Sequence, residues 1–142
     1  MTPLLDIVPF ARTLGIEFTS VTAESAVAVL PDQPALHNHV GGPHAGAMFT
    51  LGESASGAIV IAAFGEHLGR VTPLAVRAQI GYSKLAMGAM TASATLSRPP
   101  AEVVAELDAG QRPEFDVAIT LVNAEGVSTG EMTVTWTLRP NR

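Results

Sequence analysis

The sequence predicts an α+β fold in which a curved antiparallel sheet of five to six strands wraps one long central helix. Three observations predict it. A run from about His44 to Phe64 is almost wholly apolar, rich in Ala, Met, Leu and Gly, and too long for a strand. Four later stretches alternate apolar and polar residues with a period of two, the pattern of strands with one face buried. The helical and strand patterns are segregated along the chain and joined by short connections, so the sheet must supply the cover that so apolar a helix needs.

The elements follow in order. Leu4, Ile7, Val8 and Ala11 fall at helical spacing, with Pro3 in a tolerated first-turn position and Gly15 placed to end the segment, which predicts a short covering helix over Pro3–Leu14. Ile16–Ser20 and Ala26–Leu30 flank the polar Thr22-Ala23-Glu24-Ser25 and predict a hairpin. The Pro/His/Asn/Gly-rich segment Pro34–Pro43 is a loop leading into the central helix. After Arg70, Leu74, Val76, Ala78, Ile80 and Tyr82 are expected to face one way, with Arg77, Gln79 and Ser83 facing the other. Met90–Leu96, Phe115–Leu121 and Met132–Leu138 repeat the alternation, and Pro99–Gly110 carries a short amphipathic helix through Val103, Val104 and Leu107. Met87-Gly88 and Ala124-Glu125-Gly126 read as turns.

A length of 142 residues, 47% of them hydrophobic, is that of a single domain over residues 1–142 with one sizeable core. The absence of cysteine removes thiol nucleophiles, cysteine metal sites and disulfides, leaving oxygen and imidazole groups for any chemistry. The net charge of −5, with eight Lys and Arg scattered singly, provides no basic stripe for nucleic acid. Arg77, Lys84 or Arg98 could still meet one phosphate locally. The run Ala45–Phe64 contains Glu53 and three glycines and precedes strand-patterned sequence, so a buried helix is expected and not a membrane span. The N-terminus lacks a basic segment followed by an apolar run, and a cytoplasmic location is expected.

Between Gln33 and Gly65, Glu53 is the only residue charged at neutral pH, near the middle of the helix. Its neighbours three and four positions away are Phe49, Thr50, Ser56 and Gly57, none of which can pair with it. Burying an unpaired carboxylate costs several kcal/mol or forces protonation, so Glu53 is the leading candidate for chemistry. The bland alternative is a solvated glutamate or one met by a distant arginine. At the helix entrance, Gly42-Pro43-His44-Ala45-Gly46 offers outward-pointing amides able to polarise a carbonyl, although the same residues also suit a tight turn. His37, His39 and His44 crowd this segment, but their spacing matches no standard zinc pattern and no metal or other cofactor is expected.

Taken together, Asn38-(five residues)-His44-Ala45-Gly46-(six residues)-Glu53 resembles the signature of the hotdog-fold thioesterases of the phenylacetate-degradation (PaaI-type) group and of a related hotdog group of unknown function. The element order resembles that family over nearly the whole chain. The specific part is these sixteen positions. The resemblance implies the hotdog fold, an acyl-CoA or related acyl thioester as substrate, and Glu53 as general base or nucleophile. It implies that Asn38 and His44 belong to the catalytic set, with Asn38 holding the carbonyl or the water, and that the amides of Ala45 and Gly46 receive the carbonyl oxygen. Ser83, in Tyr82-Ser83-Lys84, matches a place where the family lines the acyl or pantetheine channel. A homodimer joined sheet edge to sheet edge, or a dimer of dimers, is also implied, each site mixing residues of two subunits. Two departures stand out: Ala45 replaces the first glycine of the turn, and Glu replaces the commoner Asp.

Two rivals remain open from the sequence. A 3-hydroxyacyl-thioester dehydratase would use His39 and Glu53, which stand fourteen residues apart, but His39-Val40-Gly41 lacks that group's His-Phe-Pro opening. A non-catalytic acyl-ligand-binding module would keep the fold without turnover, and Ala45 is the feature that favours it.

Overall fold

The structure is a computed structural model and describes residues 3–142. Six strands, β1 (Glu17–Val21), β2 (Ala26–Leu30), β3 (Val71–Tyr82), β4 (Met90–Leu96), β5 (Glu114–Val122) and β6 (Ser128–Pro140), form one sheet in the order β1-β2-β4-β5-β6-β3. Every neighbouring pair is antiparallel. The helices are α1 (Pro3–Ile7), α2 (Pro9–Thr13), α3 (Ala45–Phe64) and α4 (Pro100–Asp108). The central helix and the α+β arrangement are those expected, with the sheet at six strands.

Helix α3 lies against the concave face of the sheet, and Leu51, Ala55, Ile59, Val60 and Phe64 are fully buried there against Leu30, Met90, Leu121 and Val134. Small residues let the layers approach. A Cβ on Gly52 would stand 2.5 Å from the Met132 sulfur, and one on Gly57 would meet Leu4 of α1 at 3.2 Å and the Trp136 ring at 3.8 Å. One polar tether crosses this apolar contact: the Trp136 indole N–H donates to Ser56 Oγ at 3.1 Å, and Ser56 donates to the Glu53 carbonyl at 2.7 Å. A hydrogen bond in so dry an interface is costly to leave unmade, so it fixes the rotation of α3 about its axis.

The opening helix breaks in two where a single covering helix was expected. Pro9 has no N–H to donate and drives Val8 to an extended conformation (φ −121°, ψ 88°), so α1 ends and α2 begins anew with Pro9 in its first turn. The alternation expected from Leu74 to Tyr82 is also interrupted. A bulge between Ala75 and Arg77 leaves Val76 without a partner on β6. Past it, Ala78, Ile80 and Tyr82 pair with the core-facing Val134, Met132 and Gly130 as expected, but before it Ala75 and Pro73 take that face while Leu74 opposes Thr137. One extra residue in a strand of period two exchanges the faces. Strand β3 is an edge, which accommodates Pro73, and from Ala75 to Gln79 it is exposed.

The close contact of β3 with β6 has a specific weak point. A Cβ on Gly130 would sit 2.6 Å from the Gly81 carbonyl oxygen, a backbone atom that cannot turn aside. Gly130→Ala is therefore expected to destabilise the fold by about 1–3 kcal/mol through overpacking, read as a lower urea midpoint at unchanged slope.

Candidate functional site

Helix α3 is buried on all sides except along one stripe. Apart from Ile61–Ala63, its residues that are not buried are Ala45, Gly46, Phe49, Thr50 and Glu53, spaced at three and four and so aligned on one face. The stripe runs from the helix N-terminus to Glu53, about 12 Å along the axis. Two clefts open over it. One, of about 380 Å³, is lined by Phe49, Thr50 and Glu53 of α3, by Ala75 to Ala78 of β3, and by Phe10 of α2. The other, of about 330 Å³, covers the helix start, with His44, Gly46 and Ala47 beneath it and Phe10 again at its border.

Glu53 has no hydrogen-bond or ion-pair partner among the described residues. Its carboxyl pKa is raised above the ordinary glutamate value, and desolvation by burial is the cause. The nearest cation along the cleft, Arg77, is turned to Glu114 at 3.1 Å. The bulge at Val76 bends β3 beside this carboxylate, and bulges often re-aim side chains next to functional sites.

At the helix entrance the roles divide differently from the sequence expectation. His44 is the N-cap of α3, and its Nδ1 accepts the Gly46 N–H at 2.8 Å. A Cβ on Gly46 would press on that ring at 3.1 Å, so glycine here admits the imidazole cap. The Gly46 amide is thus engaged, while the exposed Ala45 amide has no acceptor among the described residues. Because Nδ1 accepts, the neutral His44 ring carries its proton on Nε2.

Asn38 builds the loop. Its side-chain oxygen accepts from Val40 N–H at 3.0 Å and Gly42 N–H at 3.1 Å, and its amide nitrogen donates to the Pro43 carbonyl at 3.3 Å. This leaves the side chain occupied with backbone, not with the cleft that holds Glu53. The loop packs on Ala86 and Met87 so closely that a Cβ on Gly42 would reach 2.2 Å from the Ala86 carbonyl oxygen. Ser83 is exposed at the end of β3 and lies outside both clefts, its N–H donating to Thr129 O at 2.9 Å. His39 is exposed in the loop and also lies outside both clefts. Among the described residues no cluster of His, Asp and Glu is arranged to hold a metal ion.

Three further residues brace or border the site; Tyr82 and Phe10 were not singled out from the sequence as site residues, and His37 was named only with His39 and His44 in weighing a metal site. Tyr82 donates its hydroxyl proton to the Ala45 carbonyl at 2.9 Å, tying the end of β3 to the start of α3. Phe10 borders both clefts although 60% exposed. His37 lies beside the second cleft, with Nε2 2.7 Å from Asp32 Oδ1. Neither Tyr82 nor Phe10 stands at a motif spacing, and the β-to-helix contact of Tyr82 joins positions far apart in the chain.

The model of a family described as a domain of unknown function, DUF4442, matches residues 3–138. The chain belongs to the DUF4442 family. No curated protein matches it. Among solved structures, this DUF4442 chain is similar to a protein of unknown function from Pseudomonas aeruginosa described as a probable thioesterase, with 21% identity over 98% of this chain and 92% of that one and a TM-score of 0.87. It is also similar to the PaaI protein of the phenylacetic acid degradation operon of E. coli (16% identity, 94% of this chain and 86% of that one, TM-score 0.74). A thioesterase from Staphylococcus aureus, solved as a mutant, gives 18% identity over 94% of this chain and 100% of that one, with a TM-score of 0.77. These likenesses establish the hotdog fold for the DUF4442 chain.

Two outcomes follow from the site. A carboxyl whose folded pKa is raised costs stability once it ionises, and this cost is absent below the unfolded value and grows as pH rises through the folded one. Glu53→Gln is therefore expected to raise the thermal midpoint at neutral pH and to leave it little changed below about pH 4. Asn38→Ala removes three hydrogen bonds from one loop and is expected to cost about 1–3 kcal/mol in denaturant unfolding.

Proposed function

We propose that this DUF4442 protein hydrolyses an acyl thioester, with acyl-CoA as the substrate and Glu53 as general base or nucleophile. The observation that carries the proposal is the unpaired, desolvated Glu53 carboxyl on the same open stripe of α3 as the unbonded amide of Ala45. The structural likeness to several thioesterases supports the choice of reaction.

In the general-base form, the Glu53 carboxylate takes a proton from a water while the water oxygen adds to the thioester carbonyl carbon. The oxyanion that forms accepts from the Ala45 N–H at the positive end of the helix. Collapse breaks the C–S bond, and the departing thiolate takes the proton that Glu53 accepted, leaving a carboxylic acid, a free thiol and the Glu53 carboxylate restored. Desolvation makes Glu53 a stronger base than an exposed glutamate. His44 holds the helix start in shape through its cap, and Asn38 shapes the loop before it. In this reading Ser83, just past β3 and outside both clefts, meets the pantetheine arm beyond them.

Glu53 and the Ala45 amide of one chain lie two helical turns apart, too far to act on one carbonyl. We infer a homodimer in which β3 edges pair and Glu53 of the partner subunit meets the helix start of the first, with a dimer of dimers as the larger assembly. The long exposed edge from Ala75 to Gln79 supports it, since such an edge calls for a partner. A second reading, an acyl-ligand binder without turnover, draws on the engaged Gly46 amide, which leaves one fewer open donor for an oxyanion.

The test is release of free thiol from a panel of acyl-CoAs, free of background because the chain has no cysteine. Wild type is expected to turn over, and folded Glu53→Gln to lose about 10²–10⁴-fold in kcat. The rate should rise with pH along a limb displaced above the ordinary glutamate pKa of about 4.3. Stoichiometric binding of acyl-CoA with no thiol release would establish the binder instead.

A further inference from the structure

The cleft over the helix start differs in character from the one that holds Glu53. Its walls are largely apolar, with Phe10 of α2 and Leu14 just past it, Ala35 and Leu36 at the start of the loop, and Ala47 from α3. It carries no Lys or Arg. Asp32 contacts His37 of this lining at 2.7 Å, so an acid stands beside the cleft and opposes a second carboxylate there. The cleft opens on His44 and Gly46, beside the unbonded Ala45 amide. An apolar groove that ends at a carbonyl-binding amide matches an acyl thioester: the carbonyl at the amide, the hydrocarbon along the groove.

Phe10 sets its limit. This ring belongs to a five-residue helix, makes no part of the core, and borders both clefts. Removing it would join about 330 Å³ to about 380 Å³.

We propose that the groove between α2 and the start of α3 is the acyl subsite, that it selects uncharged acyl groups short enough to end at Phe10, and that Phe10 determines this specificity. The assignment rests on the thioesterase reading and deepens it. Phe10 is a specificity residue and takes no part in proton transfer.

The experiment compares acetyl-, octanoyl-, palmitoyl- and succinyl-CoA on wild type, Phe10→Ala and Ala35→Trp. It reads both kcat/KM for thiol release and, in the Glu53→Gln background, calorimetric binding of the matching ketone analogues, in which a methylene replaces the thioester sulfur. Octanoyl-CoA is expected to be favoured over both palmitoyl- and succinyl-CoA by at least tenfold in wild type. Phe10→Ala should raise the palmitoyl-to-octanoyl ratio at least tenfold. Ala35→Trp, an exposed position that fills the groove from its rim, should lower the octanoyl-to-acetyl ratio by a similar factor. The binding arm separates the two readings, because absent thiol release with the same chain-length pattern in binding would sink hydrolysis and keep the subsite. Equal effects on all chain lengths in both variants would overturn the subsite. So would a Phe10→Ala protein that becomes monomeric on size exclusion with its chain-length profile unaltered, which would make Phe10 a subunit contact instead.

Discussion

A helix with apolar residues on every side can persist in water only if something surrounds it, and the burial of α3 against the concave sheet is the constraint on which the rest of this molecule depends. Burial at about 25 cal/mol per Å² of apolar surface is what drives sheet and helix together. The closeness of that contact is set by Gly52 and Gly57, where a side chain would press on Met132 of β6 and on Leu4 of α1. The sheet covers most of the helix, and α1 and α2 also pack on it. What stays open is the stripe from Ala45 to Glu53, so the same packing that makes the core also leaves the site.

The polar groups near the stripe fall into two kinds. Ser56, Trp136, Asn38, His44 and Tyr82 are spent on holding backbone or helix in place, each with a partner of defined geometry. Glu53 and the Ala45 amide have none. The partly buried Glu53 carboxyl is the unusual one, since buried polar groups are as a rule satisfied, while the exposed Ala45 amide is an open first-turn donor, and together they separate candidate chemistry from architecture here.

Much of this was legible in the sequence because it depends on local pattern. The period-two strands β4, β5 and β6, the apolar length of α3 and the isolation of Glu53 are all properties of neighbouring residues. Two fold features were not. The break at Pro9 competes with an otherwise continuous helical spacing, and the bulge at Val76 changes the phase of β3 without changing its composition. The site was legible in position and less so in role. Spacing placed Asn38, His44 and Gly46 at the helix entrance, but which atom takes which hydrogen bond depends on loop geometry that no spacing encodes. Phe10 lay beyond sequence reasoning altogether, because its place follows from how α2 docks on α3.

The tether between sheet and helix has one more consequence. The chain has a single tryptophan, and its indole N–H is bound to Ser56, whose own proton is held by the Glu53 carbonyl. The indole is therefore two hydrogen bonds from the backbone of the residue at the centre of the site, and no other indole in the chain dilutes its emission. The fold carries its own optical reporter: any ligand or substitution that rotates α3 by a few degrees changes the polarity and hydrogen bonding felt by Trp136, and that change can be followed in solution without a label.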